Sequence, residues 1–237
     1  MDNRTEPLVP GVWRIETGTF VNAYLIARDG SSDADGLLLL DTGGPRSGPR
    51  LVRSIRMLGF DPTRIDEVLL THWHRDHAGS AARFAASSAE PEVRAGRADL
   101  PVVADGRAPG SGRGTHLGRL LQPRLPRPAP TPATALDAGE PACPGAHVIA
   151  APGHTLGHRA LWLPEHGALL AGDAVYNLWR LSIGPTSLIS DLDAVPKTLA
   201  ELSRLDPAVL ACGHGPPVRS RAGRRLGRLA DQAAARL

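Results

Sequence analysis

Thr71-His72-Trp73-His74-Arg75-Asp76-His77-Ala78-Gly79 puts three histidines and an aspartate within six residues. The stretch follows Val68-Leu69-Leu70, an apolar run that reads as a buried strand, so the cluster sits where a strand ends and a turn begins. On an extended backbone His72 and His74 point to the same side, and the turn after them brings Asp76 and His77 toward the same space from another direction. Imidazole nitrogens and a carboxylate oxygen suit Zn²⁺, and also Fe or Mn, and none of them needs an oxidising compartment. A catalytic ion takes three protein ligands and keeps one position open. Four donors in one stretch therefore imply a second ion or a general base.

Outward from the cluster, strand and helix signals alternate, which predicts the α/β class. Val12 to Thr17 and Asn22 to Ala27 read as strands, and Leu37 to Leu40 is a strand that stops at Asp41-Thr42-Gly43-Gly44. Leu51, Ile55 and Leu58 share one helical face, with Gly59 as the C-cap before Asp61-Pro62. A helix is expected from Ala78 to Ala86 and a strand from Glu92 to Arg94. Downstream, His147 to Ala150, Ala160 to Leu163, Ala168 to Ala171 and Val209 to Ala211 read as strands. Val195, Leu199 and Leu202 mark a helix over Asp191 to Leu205, which tolerates Pro196 only in its first turn. An amphipathic helix closes the chain. Residues 105–134, rich in Gly and Arg and then carrying Pro123, Pro126, Pro128, Pro130 and Pro132, read as a loop inserted in a single domain spanning 1–237, a mobile cover over a site.

Composition narrows the function classes. Hydrophobic residues at 42% and charged residues at 22% are ordinary globular values, so global disorder is excluded. The longest wholly aliphatic run, Leu37 to Leu40, is far below the ~20 residues of a membrane-spanning helix. The N-terminal MDNRTEPLVPG carries no apolar signal segment, and the chain reads as cytoplasmic. A net charge of +3 argues for no nucleic-acid partner; Arg219, Arg221, Arg224, Arg225 and Arg228 crowd ten positions and read as a solvated helix face, with an anionic partner as the alternative. Cys143 and Cys212 are too few for a disulfide framework, and Cys212 reads as a small buried thiol. The expected partner is a small-molecule substrate, with the oligomeric state undetermined.

Three further stretches put one candidate ligand beside glycine after an apolar strand: Pro152-Gly153-His154-Thr155-Leu156-Gly157-His158, Ala171-Gly172-Asp173-Ala174 and Cys212-Gly213-His214-Gly215. With these in place the sequence resembles the metallo-β-lactamase superfamily from about Val12 to Pro217, its motifs in family order: Asp41, the His-x-His-x-Asp-His of 72–77, His154, Asp173 and His214. The resemblance implies an αββα sandwich with a dinuclear metal site at one edge of two sheets, loaded with two Zn²⁺ or with Fe or Mn. It implies that His72, His74 and His154 hold one ion, that Asp76, His77 and His214 hold the other, and that Asp173 bridges them. Asp41 would orient a ligand histidine through its other ring nitrogen. His158 is surplus to two ions and is given a packing or hydrogen-bonding role; His116, His147 and His166 read as surface or loop residues.

Two ions sharing a water would generate hydroxide at neutral pH, a nucleophile for an electrophilic carbonyl. Asp76 would orient that nucleophile and pass a proton to the leaving group. Asp173-Ala174-Val175-Tyr176 resembles the acyl-homoserine lactonases, which implies a hydrogen bond from Tyr176 to substrate, against a reading of Tyr176 as a wall residue. The expected activity is hydrolysis of an ester, thioester or lactone. The alternative is a mononuclear-iron oxidoreductase similar to the persulfide dioxygenases.

Overall fold

The computed structural model describes residues 4–28, 32–110, 112–143 and 145–237; Met1 to Asn3 of the N-terminal stretch and Ser111 of the expected loop lie outside them. The chain is of mixed α/β class and divides into two compact units, the first made of Met1–Gly96, Leu100–Arg107 and Pro126–Leu136, the second of Arg97–Asp99, Ala108–Leu125 and Asp137–Leu237. Among the described residues no helix is long and apolar enough to cross a membrane.

In the first unit, β1 (Thr5–Val9), β2 (Val12–Glu16), β3 (Asn22–Ala27) and β4 (Leu37–Leu40) form an antiparallel meander. Then β5 (Ile65–Leu70), β6 (Glu92–Gly96) and β7 (Thr134–Leu136) add in parallel, completing a seven-stranded sheet in sequence order. Parallel neighbours need crossovers. Those are supplied by α1 (Gly48–Met57) before β5, by α2 (Arg75–Ala78) and α3 (Ala81–Ala85) before β6, and by α4 (Leu100–Asp105) before β7. Leu37 to Leu40 are buried throughout, as a central strand covered on both faces requires. Leu51 and Ile55 bury the inner face of α1, and Gly59 takes φ +91° just past its C-cap residue Leu58.

The helix expected over Ala78 to Ala86 is broken in two. Gly79 N–H donates to Gly43 O at 2.9 Å and so leaves the helical ladder. A Cβ at Gly79 would stand 2.1 Å from Arg75 O and 2.7 Å from Gly44 C, so the close approach that splits the helix admits only glycine.

In the second unit, β8 (Pro141–Cys143), β9 (Ala146–Ala150), β10 (Arg159–Leu163), β11 (Ala168–Leu170) and β14 (Val209–Ala211) form a sheet ordered β14-β11-β10-β9-β8. β12 (Tyr176–Asn177) and β13 (Leu181–Ser182) make a small separate hairpin whose tip carries Trp179, 91% exposed. β10 runs antiparallel to both β9 and β11, and β14 is parallel to β11, so β9, β11 and β14 all end at one edge. Those three strands precede His154, Asp173 and His214. The helices α6 (Ala194–Arg204) and α7 (Ala222–Arg236) share one core with this sheet through Leu169, Leu199, Leu202, Leu210 and Leu226. Pro196 falls in the first turn of α6, where its missing N–H costs nothing.

The stretch 105–134 is only partly loop. It contains α5 (His116–Leu121), whose N-cap Thr115 accepts from Gly118 N–H at 2.9 Å, and a 3₁₀ turn at Gln122–Arg124. Its first part is tied within the second unit: Gly112 N–H donates to Ser190 O (3.1 Å), Leu192 N–H to Arg113 O (2.9 Å), and Ser190 Oγ to Gln122 Oε1 (2.7 Å). Its proline-rich remainder belongs to the first unit, where Thr131 N–H donates to Val103 O at 2.9 Å.

Candidate metal centre

In the first unit the donors gather past the parallel ends of β4 and β5. Asp41 takes φ +63°, a left-handed conformation that aspartate tolerates better than most residues. Its N–H donates to Leu69 O at 2.8 Å, which clamps the two strand ends together. Asp41 Oδ1 accepts from Thr71 N–H and Asp41 Oδ2 from the Thr71 hydroxyl, both at 2.8 Å. On the far side, Thr42 N–H and Thr42 Oγ1 both donate to His77 O, at 2.7 and 2.8 Å, and fix the turn that carries His77.

These bonds decide two tautomers. Thr71 Oγ1 has one proton, and because a carboxylate only accepts, that proton goes to Asp41; His72 Nδ1, 3.0 Å from Thr71 Oγ1, is then the donor to it. Asp41 Oδ2 also lies 2.9 Å from His77 Nδ1 and holds a proton there. Both imidazoles therefore carry their lone pair on Nε2, the arrangement a metal-bound histidine has when its other nitrogen is held by a carboxylate or hydroxyl. The rings of His72 and His74 have centroids 4.8 Å apart, and those of His72 and His77 4.4 Å apart. Asp76 Oδ2 lies 3.7 Å from His77 Nε2, and its side chain is 49% exposed where His77 is wholly buried. Trp73, also buried, meets His74 edge to face at 4.4 Å.

In the second unit a single oxygen is the focus. Asp173 Oδ2 stands 3.5 Å from His154 Nε2 and 3.3 Å from His214 Nε2, and it accepts a hydrogen bond from Tyr176 Oη. Metal–ligand bonds of ~2.1 Å at a tetrahedral angle put neighbouring donors roughly 3.4 Å apart, so the spacing and the donor types suit an ion. Tyr176 stacks on His214, with centroids 4.8 Å apart and planes 6° from parallel. His158 Nε2 accepts Asp173 N–H at 3.0 Å, so the lone pair that could ligate is already engaged and His158 acts as a support for Asp173. The loop carrying His154 is held by Asp99, which accepts Thr155 Oγ1 at 2.6 Å and Gly157 N–H at 2.9 Å. Ser190 N–H holds it from the other side, donating to His154 O at 3.0 Å.

His72, His74, Asp76 and His77 in the first unit, and His154, Asp173 and His214 in the second, are side chains able to hold metal ions. Their chemistry, buried imidazoles with carboxylates and no thiolate, is that of Zn²⁺ or of first-row ions such as Fe and Mn. Burial and the neighbouring charge of Asp173 both push the Cys212 thiol up, which keeps it protonated and chemically quiet. His116 and His147 are exposed and His166 half-buried, as expected of surface positions. Three contributors escaped the sequence reading. Asp99 lies far upstream of the loop it holds, with no motif around it; Thr71 sits inside the decisive stretch but gives no sign there of its part in fixing His72; and Ser190 acts through its backbone.

Asp41→Asn tests this supporting shell. Asparagine keeps the shape and tolerates the backbone angle, yet it has one acceptor oxygen where the carboxylate uses two, so its NH₂ must face either the Thr71 N–H or the pair of donors from the Thr71 hydroxyl and His77. In the latter arrangement His77 loses the partner that fixes its tautomer. Metal affinity, read by competition against a chelator, should fall about 10- to 100-fold while the circular dichroism spectrum stays unchanged.

The family model for the metallo-beta-lactamase superfamily matches residues 17–214. A probable metallo-hydrolase of Bacillus subtilis, YflN, is 26% identical over 227 residues, covering 85% of this chain and 83% of the relative. A hydroxyacylglutathione hydrolase of Rhodobacter capsulatus is 31% identical over 171 residues; the match covers 70% of this chain and 54%, about half, of that enzyme. Among solved structures, a protein crystallised in a di-iron-bound form superposes with a TM-score of 0.64 at 28% identity, over 85% of this chain and 91% of the other.

Proposed function

The chain belongs to the metallo-beta-lactamase superfamily and is a metallo-hydrolase of that fold, and we propose that it cleaves an ester, thioester or lactone at a dinuclear zinc site. His72, His74 and His154 would take one ion, Asp76, His77 and His214 the other, and Asp173 would be shared. The observation that carries this reading is the pair of fixed tautomers at His72 and His77, because a protein commits a buried carboxylate and a hydroxyl to holding Nδ1 protons when Nε2 has a ligand to meet.

Bound there, the ions would lower the pKa of water toward ~7 and polarise the substrate carbonyl. The chain's own groups supply the rest. Asp76, half exposed beside buried His77, would orient the attacking water and carry its proton to the leaving group. Tyr176 holds Asp173 through its hydroxyl and stacks flat on His214, so it would steady two of the ligands at once. A thioester is the leading substrate class, supported by the hydroxyacylglutathione hydrolase relative.

The test is a hydrolysis screen of zinc-loaded protein across acyl-glutathione thioesters, lactones, simple esters, β-lactams and bis-aryl phosphates, with metal content measured on protein purified without added metal. About two zinc per chain and turnover of a thioester or lactone support the reading. One iron per chain, with oxygen consumed and no carbonyl substrate cleaved, overturns it in favour of an iron oxidoreductase.

A further inference from the structure

A groove of about 590 Å³, with none of the candidate metal ligands in its lining, is bordered by α7 and β13 of the second unit. Its floor is apolar, built from Leu181, Ile183, Leu229 and Ala233. Its rim carries Arg180, Arg225, Arg228 and Arg236, and none of the described residues lining it has a carboxylate side chain. The arrangement follows from helical spacing: positions 225, 228, 229, 232, 233 and 236 lie on one face of α7, with Leu229 and Ala233 turned inward and the arginines exposed along the edge. Two of the five clustered arginines that read in the sequence as a solvated face, Arg225 and Arg228, thus belong to a concave surface.

We propose that this groove binds an anionic amphiphile, a molecule with an ionised carboxylate or phosphate head on an unbranched apolar chain. The floor alone would suit any apolar chain. Four guanidinium groups with no acidic side chain among the lining residues select an anion, and their planar forks fit carboxylate and phosphate oxygens alike. The volume lies within the ~300–1,000 Å³ of small-molecule sites. A macromolecular partner fits less well, because a stable protein interface needs ~800 Å² per side and a nucleic-acid backbone has no use for an aliphatic floor.

Dodecanoate and dodecyl phosphate, each below its micelle concentration, are the probes, titrated calorimetrically into the full chain with and without chelator. Both should bind with similar affinity, equally in the presence of chelator, which separates this site from the metal centre and its outcome from that of the hydrolase reading. Dodecyl maltoside and dodecyltrimethylammonium should bind at least about tenfold more weakly, and acetate and inorganic phosphate should not compete. Raising ionic strength from low to high should weaken dodecanoate binding, a result that needs no variant. Arg225→Glu with Arg228→Glu, both on the exposed edge, should cost about tenfold or more with an unchanged melting temperature. Equal binding of the cationic or neutral chain would reduce the groove to an apolar surface and overturn the proposal. So would binding that survives the double charge reversal, or a poly-glutamate peptide that binds where dodecanoate does not.

Discussion

Asp173→Ala should lose both metal ions and all measurable turnover together. Three groups converge on Asp173 Oδ2, the Nε2 atoms of His154 and His214 and the Tyr176 hydroxyl. A shared carboxylate also offsets part of the repulsion between two cations, so its removal weakens both sites at once. Turnover should fall by about 10³-fold or more, toward the uncatalysed rate. Metal analysis of the purified variant, beside its melting curve, reads the result. Two ions kept at ordinary affinity would remove Asp173 from its proposed bridging role.

A different outcome is expected for Asp76→Ala. That substitution takes one donor from beside His77 and leaves the supporting bonds of His72 and His77 intact, since those run through Asp41 and Thr71. Stoichiometry should drop from about two ions toward one, and turnover by about 10²- to 10⁴-fold as the proposed proton carrier is lost. The contrast is the informative part. Partial metal loss with Asp76 and complete loss with Asp173 fits the proposed division of labour, whereas full stoichiometry and full turnover in Asp76→Ala would strip Asp76 of both functions.

Where one strong physical signal dominates, the sequence was easily read. Leu37 to Leu40 and Val68 to Leu70 are apolar on every residue, a pattern that only a strand covered on both faces needs, and both strands are found where expected. The stretches around His154, Asp173 and His214 stand out because each pairs a candidate donor with glycine just after such a strand. Weak or competing signals hid the rest. β1 carries Pro7 and a bulge, with most of its residues only half-buried, so it never shows a strand's alternation. The helix α5 is six residues long, its Leu117 and Leu120 stay exposed, and prolines surround it, so composition outweighed periodicity. The break at Gly79 depends on Gly43 O, contributed by a turn 36 residues upstream, and the support of His154 by Asp99 is equally non-local.

The four tryptophans give the molecule two optical reporters of opposite kind. Trp73 is sealed from solvent and touches the His74 ring edge to face, so its emission is blue-shifted and open to quenching that changes when the imidazole gains a cation. Trp179 stands in water at the hairpin tip and emits at longer wavelength, within reach of iodide. Iodide should therefore strip the red side of the band first and leave a spectrum weighted toward buried Trp73 and half-buried Trp13 and Trp162. Excited at one wavelength, the unlabelled protein can follow metal loading on the blue side of its spectrum and events at the hairpin on the red side.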